Sequence, residues 1–135
     1  MSKTLVSSLF AQSSKTRKLR DTISQTQEKI TLSGLAGSSL SLVIADVFKT
    51  TALPFLIILN DKEEAAYHLN DLESLLSPDN VLFYPGSYRR PYQIDETDNA
   101  NVLLRSEVLN RINSRKKPAL IVTYPEALFE KVITR

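Results

Sequence analysis

Short apolar runs alternate with helical patterns along most of this chain. Three of the runs are rich in β-branched residues and show no polar alternation, which is typical of strands covered on both faces in a parallel sheet. A fourth segment, near the N-terminus, has the length and composition of a strand that would precede them. The predicted strands cover residues 29–32, 55–59, 81–84 and 119–124.

Helical patterns fill the intervals between these runs. Their apolar residues recur at i, i+3, i+4 and i+7, which places them on one stripe of each helix. Asp61 and Glu64 have the spacing of a capping box, Thr123 and Glu126 resemble a second cap pair, and Pro125 suits the first turn of a helix. The predicted helices cover residues 5–10, 19–23, 40–48, 65–76, 104–112 and 125–132.

Strands that alternate with helices predict the fold class α/β, with right-handed crossovers. We expect a three-layer αβα architecture with a mostly parallel sheet of about four strands, preceded by N-terminal helices. The expected organisation is a helical lead-in over residues 1–27 and an α/β domain over residues 28–135. The small number of strands suggests the first part of a larger domain.

Composition limits the chemistry available to the chain. Its 135 residues, 42% hydrophobic and 24% charged, suit one globular domain. The absence of cysteine excludes disulfides, thiolate metal sites and cysteine nucleophiles. The single histidine, His68, disfavours a Ser-His-Asp triad or a histidine metal site, and we expect it to be exposed on its helix. No catalytic residue and no metal ligand is therefore predicted.

Membrane and export signals are also missing from the sequence. The longest near-continuous apolar run, residues 53–59, falls far short of the roughly 20 residues that cross a bilayer. The N-terminus lacks the apolar core and cleavage site of a secretory signal. We therefore expect a cytoplasmic protein that has no membrane partner.

The net charge of +2 is unevenly distributed. Residues 1–30 hold six Lys and Arg against two Asp and Glu, a net charge of +4, whereas the rest of the chain is at −2. A basic N-terminal segment suits contact with nucleic acid or an acidic partner, although such segments are commonly solvated helix surfaces.

A glycine-containing loop follows the first predicted strand and precedes the first strongly amphipathic helix, as in a P-loop. Aligning Gly34 with the first glycine of G-x-x-x-x-G-K-[ST] puts Ser39 at the second glycine, Leu40 at the lysine and Ser41 at the hydroxyl position. Leu40 supplies no charge for phosphate, and Ser39 adds a side chain where the backbone should approach it closely.

The loop is therefore interpreted as a degenerate P-loop without a bound cofactor. Two alternatives remain, an ordinary turn between strand and helix and weak anion binding at the helix N-terminus. The residues of the degenerate loop are Gly34, Gly37, Ser38, Ser39, Leu40 and Ser41.

Four segments in order resemble one protein family. The matching stretches are the degenerate loop, a strand and helix, two Pro-Tyr or Tyr-Pro turns, and a helix that leads to a strand ending in Ile-Val-Thr-Tyr-Pro-Glu-Ala-Leu. They cover about residues 28–133 and resemble the UvrB-like first region of the Mfd family of bacterial transcription-repair coupling factors. UvrB retains the P-loop lysine, whereas Mfd-type proteins lose it in this domain. This chain has Leu40 at the lysine position and so resembles the Mfd-type proteins.

This resemblance implies a non-catalytic scaffold and interaction domain from the UvrB-like module. Family members are ATP-dependent DNA translocases that displace stalled RNA polymerase and recruit UvrA for nucleotide-excision repair. The resemblance places UvrA binding in the following domain, polymerase and DNA binding in later domains, and ATP and magnesium in the motor domains of the parent protein. For this chain the implied partner is the rest of the same polypeptide.

Two other functions stay open from the residues alone. One is a small P-loop-like NTPase with an atypical phosphate loop, and the other is a nucleic-acid-binding module. The stretch from residue 84 to residue 100 bears on the second, because its mixture of aromatic and basic side chains suits stacking on bases and pairing with phosphates. A locally packed surface loop would explain the same residues, which are Tyr88, Arg89, Arg90 and Tyr92.

Overall fold

The computed structural model describes residues 3–87 and 98–131, without the side chains of the first two of these residues. No helix in the described part of the chain has both the length and the apolar character needed to cross a membrane. In chain order the elements are α1 (Lys3–Gln12), α2 (Ser14–Gln25), α3 (Ser39–Thr51), β1 (Phe55–Ile58), α4 (Lys62–Leu75), a 3₁₀ turn (Pro78–Asn80), β2 (Val81–Tyr84), α5 (Asn99–Ser114), β3 (Leu120–Thr123) and α6 (Pro125–Phe129).

The chain divides into two compact units, Met1–Leu53 and Pro54–Arg135. In the first unit α1, α2 and α3 contact one another. In the second unit α4 packs against β2 and β3, and α5 packs against β2. The α/β class and the N-terminal helices are thereby confirmed, while the domain limits 1–27 and 28–135 stay a prediction.

The sheet of the second unit is parallel, with strand order β1-β3-β2. All four residues of the central strand β3 are buried, as its unbroken apolar run predicts. In β1 burial alternates, so that Leu56 and Ile58 are exposed while Phe55 and Ile57 are partly covered. These three strands confirm three of the four predicted.

The predicted first strand, residues 29–32, is wrong. Residues 26–33 form neither helix nor strand, and every one of them is exposed. The segment has only two apolar side chains, Ile30 and Leu32, and in the described residues no strand pairs with it. A strand must satisfy its backbone groups through a neighbour, which local composition does not supply. The described sheet therefore has three strands, not about four.

The helix signals in the sequence are largely confirmed. The Asp61 Oδ1 atom accepts a hydrogen bond of 2.8 Å from the Glu64 backbone N–H at the start of α4. The Glu64 carboxylate reaches back to the N–H of Asn60, one residue before the position that a capping box uses. Pro125 opens α6 as predicted.

Two local predictions are wrong. Thr123 does not cap α6, because it lies in β3 and its hydroxyl donates to the Tyr84 carbonyl at 2.8 Å. His68 is not exposed, since only 7% of its surface reaches solvent. It lies three residues after Ala65 and four before Leu72, so that all three share the buried side of α4.

Candidate functional site

The glycine-containing loop lies between the irregular residues 26–33 and α3. Gly34 has φ of +78° and Gly37 has φ of +52°, left-handed conformations that glycine adopts without steric cost. A Cβ atom at either position would meet nothing within 4 Å. Backbone conformation, not close packing, therefore explains why glycine suits both positions.

The hydroxyl of Ser39 closes this loop on itself. It accepts a hydrogen bond from the Ala36 N–H and donates one to the Ala36 carbonyl, each at 2.7 Å. In a P-loop the corresponding stretch of backbone turns its N–H groups toward phosphate. Here the Ala36 N–H is directed to a neighbouring side chain instead.

Ser41 and Leu40 also depart from the geometry of a nucleotide site. Ser41 is completely buried, so its hydroxyl does not reach the surface where a P-loop serine would bind magnesium. Leu40 is half-buried and brings no positive charge. The structure thus places the six loop residues together at the start of α3, without a preceding strand. The absence of nucleotide binding stays a prediction.

Tyr88, Arg89, Arg90 and Tyr92 lie outside the described residues, so their proposed contact with nucleic acid stays a prediction. The backbone N–H of Asp98 donates to the Ser87 carbonyl at 2.7 Å. The two ends of the intervening segment are therefore held side by side at the carboxyl end of β2.

A buried arginine organises this end of the sheet. Arg105, on α5, is only 8% exposed. Its Nη1 atom donates to the carbonyls of Pro85, at 2.8 Å, and Ala127, at 3.0 Å. The guanidinium also lies 4.2 Å from the centre of the Tyr84 ring, a cation–π distance. One side chain therefore joins α5 to the turn after β2 and to α6.

Glu130 completes the arrangement from the chain just after α6. Its carboxylate lies 3.5 Å from Arg105 Nη1 and accepts hydrogen bonds from the N–H of Ser87, at 2.8 and 3.0 Å, and from the Ser87 hydroxyl, at 2.6 Å. Both oxygens of this carboxylate are thus used within the protein. We call Arg105, Glu130, Ser87, Tyr124 and Asn101 the turn clamp.

The remaining two members of the turn clamp hold Gly86. The Gly86 N–H donates to the Tyr124 hydroxyl at 2.8 Å, and Asn101 Nδ2 donates to the Gly86 carbonyl at 2.9 Å. A Cβ atom on Gly86 would lie 2.8 Å from Glu130 Oε1 and 3.3 Å from the Tyr124 oxygen. A side chain at this position would therefore require the Glu130 carboxylate to move from its place in the turn clamp.

Burial raises the pKa of Tyr124 above its ordinary value of 10.0. The hydrogen bond from Gly86 opposes this shift, and the nearby Glu130 and Glu126 carboxylates add to it. The hydroxyl therefore stays neutral over the physiological range. It serves as a hydrogen-bond acceptor for the turn and not as a proton carrier at neutral pH.

Sequence reasoning missed the turn clamp. Arg105 lies next to the predicted apolar stripe of α5, where a long basic side chain is ordinarily solvated. The bonds join residues that are far apart in sequence, for example 43 positions between Ser87 and Glu130. The only local signal is Pro85-Gly86-Ser87, which marks a turn without indicating what binds it.

No group of three or more His, Asp or Glu residues within the described part of the chain is placed to hold a metal ion. Comparisons with protein-family models, with curated proteins and with solved structures found no match for this chain.

Proposed function

We propose that this chain is a non-catalytic scaffold and interaction domain of a UvrB-like module in a transcription-repair coupling factor. The parent protein would be an ATP-dependent DNA translocase that displaces stalled RNA polymerase and recruits UvrA through a following domain. The partner of this chain would be the rest of the same cytoplasmic polypeptide. ATP and magnesium would bind in the motor domains of the parent.

The exposed face of β1 carries the proposal. Leu56 is 57% exposed and Ile58 is 53% exposed, although strands of a parallel sheet are usually covered on both faces. Their register neighbours on β3, Ile121 and Thr123, are buried. On this face of the sheet the side chains of β3 are therefore buried, whereas those of β1 reach solvent. An apolar strand face of this kind suits a surface on which another part of the polypeptide packs.

The turn clamp supports a structural role. Open α/β sheets bind ligands at the carboxyl ends of their strands. In this sheet the polar side chains at that position, Arg105 and Glu130 among them, are bonded to neighbouring carbonyls and N–H groups. These bonds stabilise the chain connections and leave neither charge directed outward.

The proposal also includes a three-layer αβα arrangement that is similar to the fold of P-loop NTPases but incomplete. The crossover from β1 to β2 and the crossover from β2 to β3 run in opposite directions in a β1-β3-β2 sheet. If both are right-handed, α4 and α5 cover opposite faces. The position of Arg105 over Tyr84 supports this arrangement, because Tyr84 shares its face of the sheet with Leu56 and Ile58.

Charge introduced on the β1 face of the full-length polypeptide tests the scaffold role. We expect Leu56→Asp with Ile58→Asp to lower the melting temperature and to expose this region to limited proteolysis. The matched control is Val102→Asp with Leu103→Asp, an exposed apolar pair on α5. This variant should keep the wild-type melting temperature and the wild-type proteolysis pattern. Wild-type behaviour of the β1 variant would overturn the proposal.

Nucleotide titration separately tests the proposal that this chain is non-catalytic. Calorimetry of the 135-residue chain with ATP and magnesium should show no saturable binding at millimolar nucleotide. A micromolar dissociation constant, or hydrolysis that Ser41→Ala abolishes, would contradict it and favour an NTPase.

A further inference from the structure

One side of α2 carries only polar side chains. Thr16 and Leu19 are the buried residues of this helix, which directs the opposite side to solvent. We call that side the α2 basic face. Its exposed residues are Ser14, Lys15, Arg17, Lys18, Asp21, Ser24 and Gln25.

Three cations of this face lack an ion-pair partner among the described residues, namely Lys15, Arg17 and Lys18. Arg20, the fourth cation of α2, is engaged within the first unit. Its Nη1 atom lies 3.6 Å from Asp46 Oδ2, and its Nη2 atom donates to the Ala11 carbonyl at 3.1 Å. Arg20 thus stabilises the contact between helices, and the other three remain available to a partner.

The unit that carries the face has a net charge of the same sign. Residues 1–53 contain seven Lys and Arg against three Asp and Glu, a net charge of +4, whereas residues 54–135 have a net charge of −2. On the face itself Asp21 is the single acid beside three cations. Summed charge of one sign raises the local concentration of anionic partners and speeds their encounter.

We propose that the α2 basic face binds the phosphate backbone of double-stranded nucleic acid without reading base sequence. Protein partners usually meet an interface whose centre is apolar or aromatic. The α2 basic face has no such residue, and its cations lie among small hydroxyl and amide groups. Cations and short polar donors are the groups that contact phosphate oxygens. This inference is independent of the scaffold role.

The salt dependence of this affinity follows from counterion release. If Lys15, Arg17 and Lys18 each neutralise one phosphate, log K falls against log salt with a slope of about −2.7, since each contact contributes about −0.9 on B-form DNA. Affinity should then drop about 40-fold between 50 and 200 mM salt. This is the affinity pattern of a non-specific contact.

Fluorescence anisotropy of a labelled 20-base-pair DNA duplex with the full 135-residue chain tests the proposal. The variant is Lys15→Gln, Arg17→Gln and Lys18→Gln, because glutamine retains high helix propensity. We expect it to keep the wild-type circular dichroism spectrum, to bind at least tenfold more weakly at 50 mM salt, and to lose most of the salt slope.

A charge-matched control separates a local contact from a general charge effect. Lys116→Gln, Lys117→Gln and Lys131→Gln removes the same charge from exposed positions of the second unit and should leave affinity within about twofold of wild type. Equal losses in both variants, or no binding by the wild type at 50 mM salt, would overturn the proposal. So would binding to phosphatidylserine vesicles, but not to duplex, that depends on the same three residues.

Discussion

Arg105 shows how one buried charge is accommodated in this protein. Its guanidinium meets two carbonyl oxygens, a carboxylate and an aromatic ring, all contributed by segments other than α5. A buried ion pair of this kind adds little over an apolar pair of the same shape, but removal of one partner is costly. The residue therefore determines how the chain connections pack.

Arg105→Met should destabilise the second unit by about 3 kcal/mol or more, because it leaves the Pro85 and Ala127 carbonyls without their donor and the Glu130 carboxylate without its cationic partner. Arg111→Met is the matched control on the same helix. Arg111 makes one exposed hydrogen bond, to the Asp79 carbonyl, and its loss should cost about 1 kcal/mol or less. Urea denaturation measures both, and equal costs would show that the clamp is energetically unimportant.

Tyr124 gives stability a dependence on alkaline pH. Its folded-state pKa is raised, so between pH 10.0 and that higher value the unfolded chain loses the phenolic proton while the folded chain retains it. The folded state then binds more protons, and the free energy of unfolding falls as pH rises through this window. Below pH 10.0 the contribution of Tyr124 to stability is fully present.

Tyr124→Phe should remove this contribution to the alkaline decline and lower stability at pH 7 by about 1–3 kcal/mol, since the buried Gly86 N–H loses its acceptor. Denaturant titrations at several pH values between 7 and 11 measure both effects. Tyr67→Phe, at an exposed position of α4, should retain the wild-type pH profile. If Tyr124→Phe keeps the wild-type dependence of stability on pH, the alkaline decline does not come from Tyr124.

Among the elements, α4 has the best-defined beginning. Asp61 accepts from the Glu64 N–H, and the Glu64 carboxylate accepts from both the N–H and the side-chain amide of Asn60. These bonds satisfy N–H groups that a helix start otherwise leaves without partners. The same α4 buries Leu72 completely beside the sheet, so its start matters to the core.

Asp61→Ala should lower the free energy of unfolding by about 1 kcal/mol through loss of this cap. Asp79→Ala removes an acidic side chain from the 3₁₀ turn that makes no side-chain hydrogen bond with a described residue, and it should stay within about 0.5 kcal/mol of wild type. Thermal and urea unfolding compare the two variants. A larger effect at Asp79 would show that general charge, not capping, governs this region.

Sequence predicted these elements where local chemistry determines them. The apolar run of β3, the cap at Asp61 and the proline at the start of α6 each express a short-range preference. The strand predicted at residues 29–32 is wrong because a strand forms only by pairing with a neighbour, which the local sequence does not determine. The turn clamp was equally inaccessible, since it depends on which distant segments meet.

The whole molecule combines a basic helical unit with a slightly acidic α/β unit. Net charges of +4 over residues 1–53 and −2 over residues 54–135 give the two units different electrostatic character. The second unit adds an exposed apolar strand face. A charged surface and an apolar surface on different units suit interactions with chemically different partners.

In the 135-residue chain by itself, Leu56→Thr with Ile58→Thr should reduce binding of a hydrophobic dye such as ANS while changing stability by less than about 1 kcal/mol, because both side chains are more than half exposed there. Ile121→Thr, the buried register neighbour of Leu56, should cost about 2 kcal/mol. Dye fluorescence and urea denaturation test the pair. Strong destabilisation by the β1 variant would show that this face is already covered in solution.

The hydrogen bond from the Asp98 N–H to the Ser87 carbonyl limits the entropic cost of changing the chain length between these two residues. It fixes both ends of the segment over residues 88–97, with the turn clamp securing the Ser87 side. Closing a loop of twice the length adds only about 0.6 kcal/mol of entropic cost. Lengthening the connection between Ser87 and Asp98 should therefore change the free energy of unfolding by less than about 1 kcal/mol, because the hydrogen bond already holds its two ends together.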